Sequence, residues 1–588
     1  MKTPIRFLLP LLCAAVASLQ SVDASTFLVT NNGDNGGVNP APDAGTGTLR
    51  QAIVDANANA GPDMITFSPG VTGTILLLSV LPNLSDDVII TGPGANVLAV
   101  DGNHANRVFY INPGLTVTIS GLTITNGAAD HGAGIYNDHA TLTVSNSTLT
   151  GNNAGNLGDN RGGGIFNDHA TLTVSNSTLT GNSASSNDNF GTGGGISNIL
   201  GTVTVTNSTV SGNSTSGISN GGGGIYNGHG TLTVTNSTVS GNSGTLGGGI
   251  YSEVVSEISN AATVTVTNST VSGNSASDPS GGFGGGIFNA AFNDSGGNVS
   301  ATVTVTNSTL SGNSAGGAGS GGGGIYNALN VTAGAGNATV TIGSTIINAG
   351  SSGENIRNDS GTVTSQGYNL SSDNGGGYLT NTGDQINTDP MLAPLANNGG
   401  PTFTHALSPT SPAIDKGKNF SGSTTDQRGT GFGRTVDLGF PKPTGGDGTD
   451  IGAYEVQALP PCPKPQGYWK NNPNAWPVSA LPMTLGSQQY TQADLLRILR
   501  TPTGSGTKAD ASLILADQLI AANLNIANGA NGTPVTSTIA DANAVLSIYP
   551  GKLPYHVRPN TTNGHRMVND ANVLNNYNNG LLTSGCTP

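Results

Sequence analysis

Along much of the chain every second position is apolar. Residues 141–145 read Thr-Leu-Thr-Val-Ser, and 202–206 read Thr-Val-Thr-Val-Thr. A period of two puts Val and Leu on one face and Thr and Ser on the other, as in a strand with one buried and one wet face. No helical period intervenes between about residues 87 and 345. The strand phrase is copied. TLTVSNSTLTGN fills 141–152 and again 171–182, and near copies begin at 202, 231, 263 and 302. Glycine runs ending in Ile-aromatic-Asn precede the strands, as in GGGIFN from 162 and GGGGIYN from 221. Asn146, Asn176, Asn207, Asn236, Asn268 and Asn307 recur at spacings of 30, 31, 29, 32 and 39 residues. Such a period denotes stacked supersecondary units.

Units of short strands and turns, without helices, stack as the coils of a parallel β-helix, here about eight to twelve of them. Like residues then lie on like. Valines stack inside, and the six recurring asparagines are expected to form a ladder of side-chain amides at one turn. The gaps between phrases vary (AGNLGDNR, ASSNDNFGT, STSGISN, ASDPSGGF, AGGAGS), which predicts surface loops at one corner of the solenoid.

The pattern changes at both ends. In TLRQAIVDANA, residues 48–58, Leu49, Ala52, Ile53 and Ala56 fall at helical spacing, and Gly61-Pro62 ends the run. After Pro460-Pro461, helical runs follow GYWKNNPNAWPV: YTQADLLRILRTP, ADASLILADQLIAANLNIAN, TSTIADANAVLSIY and a stretch near 566–577. The expected division is a signal peptide over 1–24, an N-terminal cap over 25–86, β-helix coils over 87–345, last coils and a C-terminal cap over 346–457, and a small helical domain over 458–588. The fold class is an all-β solenoid followed by a small, mainly α domain.

Composition narrows the function. Ninety glycines without a Gly-X-Y period exclude collagen. Abundant β-branched residues with only 9% charged residues exclude a disordered chain. A net charge of −14, thinly spread, lacks the clustered Lys and Arg that bind nucleic acid. Lys2 and Arg6, the apolar run Phe7 to Leu19 and Val22-Asp23-Ala24 form a signal peptide that carries Cys13 away. No later run is long enough to span a bilayer. The mature chain is therefore expected to be secreted, outside the cell or on its surface. Cys462 and Cys586 bracket the last segment, and their even number predicts one disulfide there, two separate thiols being the alternative.

GGGIYN followed by NSTVSGN resembles the repeat of bacterial polymorphic outer-membrane proteins, with Gly-Gly-Gly-Ile for Gly-Gly-Ala-Ile and Val or Leu for Phe. TLRQAIVDANA resembles the Cys-Ser-Leu-Arg-Glu-Ala segment of exported bacterial proteins, with Gly47 and Gln51 at the Cys and Glu positions. GPTFTHALSPTSPAID from 400, TDQRG from 425 and DIGAYE from 450 resemble the ending of choice-of-anchor Q proteins. The likeness runs from about 48 to 455. It implies an exported right-handed parallel β-helix and no particular reaction.

Candidate chemistry is sparse. Polyuronate lyases need a strong base and cations, yet between 108 and 356 the one basic side chain is Arg161. Hydrolysis needs two facing carboxylates, and no pair is marked among Asp159, Asp168, Asp188, Glu253, Glu257, Asp278 and Asp294. Asp138-His139 and Asp168-His169 occupy equivalent places in consecutive units, about 5 Å apart if the coils are neighbours. They are the candidate metal ligands, for Ca²⁺ by carboxylates or Zn²⁺ by histidines. A duplication with side chains splayed into water is the alternative. No other cofactor is expected. Tyr468, Trp469, Trp476 and Tyr490 are candidate sugar-stacking aromatics, with core packing as the alternative. Arg50, His405, Asp415, Asp426, Arg428, Asp450 and Glu455 are expected to pair and close the end of the solenoid. These features favour a structural or adhesin-like surface protein that meets a cell-surface or matrix component, polysaccharide among the candidates. A carbohydrate-active enzyme or carbohydrate-binding protein, and a surface-layer protein with no soluble ligand, are the alternatives.

Overall fold

The computed structural model describes residues 24–37, 45–155, 158–185, 191–217, 221–255, 261–278, 281–317, 320–458, 461–583 and 586. The expected signal peptide lies outside these apart from Ala24, and the variable corner loops lie partly outside them. Twelve parallel strands, from Thr26–Val29 to Thr362–Gly367, form one sheet in sequence order. Nine parallel strands, from Phe109–Ile111 to Ile356–Asp359, form a second. Short strands such as Thr148–Thr150, Thr178–Thr180 and Thr209–Ser211 stack into a third. Each coil visits the sheets in turn, which is a parallel β-solenoid. The register is strict: Leu142 pairs with Leu172, Leu172 with Val203, Val203 with Leu232 and Leu232 with Val264.

The alternating pattern builds the interior. Inward-facing Val, Leu and Ile of the three sheets enter one apolar column that runs from Val29 to Leu379. The amide ladder exists, but on other asparagines than expected. Asn146, Asn176, Asn207, Asn236, Asn268 and Asn307 take left-handed backbone angles, φ 47–50°. Asn is the side chain that tolerates this bend best after Gly. No amide-to-amide bond joins these six among the described residues. The ladder is carried six residues later, by Asn152, Asn182, Asn213, Asn242, Asn274 and Asn313. Each Nδ2 donates to the Oδ1 of the next at 2.9–3.0 Å. The backbone N–H of each donates to the same oxygen. A second ladder links Asn137, Asn167, Asn198 and Asn227 at 2.7–2.8 Å. Both ladders are buried, where an unpaired amide is costly and a side chain that donates and accepts can extend a chain of bonds indefinitely. At the exposed bends of Asn146 and Asn176 water competes, so a ladder there has little to gain, whereas Asn268 and Asn307 are buried and give their amides to the Thr425 and Lys418 carbonyls instead.

The N-terminal run forms α1, Leu49–Ala58, capped by Thr48, which accepts from the Gln51 N–H. Leu49, Ala52, Ile53 and Ala56 are buried and join the solenoid core. Arg50, fully buried, forks onto Asp34 at 2.6 and 2.8 Å and donates to the carbonyls of Gly37, Ser79 and Val80.

The C-terminal cap departs from expectation. Leu379 closes the core column, but residues 402–453 turn back and lie along the flank of the coils. Thr402 donates to the Asn236 carbonyl and Thr238 to the Phe403 carbonyl. Thr270 donates to Gln427 Oε1 at 2.6 Å, Ser272 meets His405 Nε2 at 2.8 Å, and Asn307 donates to the Lys418 carbonyl at 2.9 Å. The Ala453 N–H donates to Thr309. Thr238, Thr270 and Thr309 are consequently buried, whereas their register equivalents Thr148, Thr178 and Thr209 are half-exposed. The polar cluster expected at the open end organises this strap instead. Arg428 forks onto Asp426 and lies between the rings of Phe432 and Tyr454 at 3.9 and 3.8 Å. Asp415 accepts from the N–H groups of Leu438 and Phe440, Asp450 from Asp415 and Val456, and Glu455 from Val436 and Asp450. Burial pushes Asp450 and Glu455 above the usual carboxylate range.

The last segment forms α2 (Gln466–Asn471), α3 (Gln492–Arg500), α4 (Ala511–Ala527), α5 (Thr536–Leu546) and α6 (Thr562–Asn578) around a core of its own. Cys462 and Cys586 form the expected disulfide. Burial of Asp517 on α4 pushes its carboxyl up to about 7, with Lys470 acting in the opposite direction. The folded domain therefore holds a proton that the unfolded chain has released. This contribution is complete below the ordinary carboxyl range and is lost as pH rises through 7. Between pH 6 and 8 the domain is expected to lose about 1.4 kcal/mol from this group. Denaturant titrations at the two pH values should show the loss in the wild type and not in Asp517→Asn.

Candidate functional site

The Ile-aromatic-Asn phrase has a simple geometry in the nine-stranded sheet. Ile and Asn point inward, and the aromatic points outward. Tyr110, Tyr136 and Phe166 follow one another in register with centroids 4.9 Å apart at each step, the first pair edge-on and the second tilted. Tyr226, Tyr251, Phe288 and Tyr326 continue the column further along. Each tyrosine finds a carboxylate. Tyr110 donates to Asp138 at 2.6 Å, Tyr136 to Asp168 at 2.9 Å and Tyr326 to Asp359 at 2.5 Å, and Tyr226 and Tyr251 share Glu253. A phenol with its rim buried needs an acceptor. Burial first, then the bonded Asp138, pushes Tyr110 up to about 12. Burial likewise raises Tyr136, Tyr226, Tyr251 and Tyr326, so all remain donors at neutral pH.

At the N-terminal end of this column the structure assembles a polar group. Asp138 pairs with Asp168 in register. Asp138 accepts from Tyr110 on Oδ2 and meets His139 Nδ1 on Oδ1 at 2.6 Å. Asp168 repeats this with Tyr136 and with His169 at 2.7 Å. The two imidazoles stack with centroids 4.7 Å apart and planes 4° from parallel. His139 and His169 sit at φ 50° and 49°, on the bends that follow their strands. Arg107 lies over the rings of Tyr110 and Tyr136 at 5.4 and 5.3 Å and donates to the His131 carbonyl. The His131 ring is 5.3 Å from Phe166 and is held below its ordinary value by burial and by Arg161.

Three of the four expected metal ligands converge: His139, Asp168 and His169 offer ligand atoms that lie within 4.8 Å of one another. Asp138 lies outside this group. Every oxygen of the two carboxylates is engaged by a Tyr or His, so a calcium site made of oxygens is not preformed. A carboxylate on Nδ1 fixes that nitrogen as the protonated one and leaves Nε2 as the ligand or proton-accepting atom of each ring. Glycoside hydrolysis by these two acids would need one held protonated and one free, and both are instead clamped as acceptors.

The candidate sugar-stacking aromatics do not form a platform. Trp469, Trp476 and Tyr490 are buried in the helical core. Trp469 Nε1 donates to Asn525, Trp476 Nε1 to the Trp469 carbonyl, and Tyr490 accepts from the Leu553 N–H. Only Tyr468 of the four is exposed, edge-on to Trp469. Buried indoles and phenols with satisfied polar tips are core residues. Sequence reasoning missed the tyrosine–carboxylate column and Arg107, which falls just before the arginine-poor stretch. The signal was present in the repeated Ile-aromatic-Asn phrase.

No family model, no curated protein and no solved structure matches the chain.

Proposed function

We propose that the protein is an exported, non-catalytic β-helix that acts at the cell surface or outside the cell as a structural or adhesin-like element. The observation that supports this reading is the pairing of its reactive groups. The acids of the nine-stranded sheet are bound by tyrosines and histidines of the same or neighbouring coils, and they do not face one another across an open cleft. The disulfide suits an oxidising compartment, and no helix among the described residues is long and apolar enough to cross a membrane. The resemblance of residues 48–455 to choice-of-anchor Q proteins supports export. The partner is a surface or matrix component, polysaccharide included.

A carbohydrate-active or carbohydrate-binding role is the second reading, favoured by the cluster of Arg107, Tyr110, Tyr136 and the two Asp-His pairs. The test is to incubate the purified mature chain with a panel of polysaccharides and to follow retention and product masses. Intact glycans, with or without retention, are expected. New fragments that disappear in Asp138→Asn or Asp168→Asn would establish the enzyme instead.

A further inference from the structure

The twelve-stranded sheet turns a regular array of threonines outward. Eight successive in-register pairings join nine threonines in one column, beginning Thr116, Thr141, Thr171 and ending Thr302, Thr339, Thr362. A parallel column two residues on begins at Thr118 and ends at Thr364 through the same pairings. Neither column is interrupted by a register shift; the one irregularity of these pairings lies beyond them, after Ile342. The columns are solvent-accessible along their whole length, and the strap does not cover them. Among the described residues of the two columns, only Thr339 gives its hydroxyl to a protein acceptor, Asn337. None of the strands in this stretch carries a charged side chain.

The backbone sets the lattice. Neighbouring strands are about 4.8 Å apart, and alternate residues of one strand about 6.6 Å apart. The face is therefore a two-dimensional grid of hydroxyl and methyl groups, uncharged and rigidly spaced. Charged surfaces orient water around each ion. Neutral hydroxyls at fixed intervals hydrogen-bond water, while the methyls between them restrict it. A matching partner repeats in two dimensions on the same scale, is uncharged, and donates and accepts hydrogen bonds at every point. A crystalline polysaccharide is a poorer fit, because sugar faces are gripped by aromatic side chains and these lie on the other sheet. We infer that the threonine face binds ice, the water lattice itself being the partner. The inference rests on the reading of the chain as an extracellular protein, since that is where ice would meet it.

The test uses the purified mature chain in slowly growing ice, with thermal hysteresis as a second readout. Enrichment in the ice fraction is expected, with loss of most of it in Thr204→Lys at the middle of the array. Thr178→Lys, on the third sheet, should partition as the wild type does. If Thr204→Lys fails to fold by circular dichroism, the bulky uncharged Thr233→Tyr carries the same test. Exclusion of the folded wild type from ice would overturn the proposal. So would enrichment that both array variants retain, or binding to crystalline cellulose or chitin without binding to ice. None of these results decides the structural or adhesin-like reading, which the polysaccharide panel tests by retention and product masses.

Discussion

Reducing the Cys462–Cys586 disulfide is expected to destabilise the helical domain by about 5 kcal/mol on the loop-closure account and to leave the solenoid unchanged. The bond joins residues 124 apart in sequence. Every residue of the helical core, from Trp469 to Tyr577, lies inside the loop that it closes. The entropy removed from the unfolded chain therefore acts on that domain as a whole. The solenoid core is a separate cluster ending at Leu379 and contains neither cysteine. Denaturant unfolding followed by tryptophan emission reads the helical domain alone, because both tryptophans of the chain belong to it. Far-ultraviolet circular dichroism reads the β-sheet. A tryptophan transition that does not move in dithiothreitol would refute the expectation.

The second large effect is expected from Asn213→Leu. Asn213 is fully buried. Its Oδ1 accepts from both the backbone N–H and the Nδ2 of Asn182, and its Nδ2 donates to the Leu179 carbonyl and to Asn242. Leucine keeps the branching and the number of side-chain heavy atoms and removes the bonds. Two donors of Asn182 and the Leu179 carbonyl are left in a dry interior, at a cost on the order of 3–5 kcal/mol. Asn176→Leu, at an exposed bend, should cost far less, chiefly through its left-handed backbone angle. Because coils contact only their neighbours, the damage should be local. Hydrogen exchange should rise around residues 179–185 and 209–216 before it rises elsewhere. Similar effects of the two substitutions would return the ladder to the bends.

These two residues show where the sequence was legible. The alternation of Thr with Val or Leu specifies which side chains go inside, and the copied phrases specify the register, so the solenoid could be read from local pattern. The helix over 49–58 and the helical domain follow from their apolar spacing in the same way. Choosing between Asn176 and Asn182 required knowing which one faces inward, and that depends on a bend whose handedness composition does not reveal. The strap was illegible for a different reason. Gln427 meets Thr238 and Thr270 across more than 150 residues, and nothing near Gln427 announces that partner. The tyrosine–carboxylate pairs fall between these cases. Tyr110 and Asp138 lie on adjacent coils, so their contact was implied once coil and register were combined.

The strap also has a consequence for how such a chain changes over generations. Its contacts run from Asn236 to Ser344, one after another along the flank. A coil gained or lost within that interval would carry every later partner one step out of place. Among the described residues before Asn236 no such contact ties distant coils together. A whole unit can be inserted or deleted there, and the strands will close on the next coil with the same pairing. The sixteen identical residues 137–152 and 167–182 lie in that unguarded part. The strap thus acts as a ruler that fixes the distal half and leaves the proximal half free to lengthen or shorten by copying errors, a coil at a time.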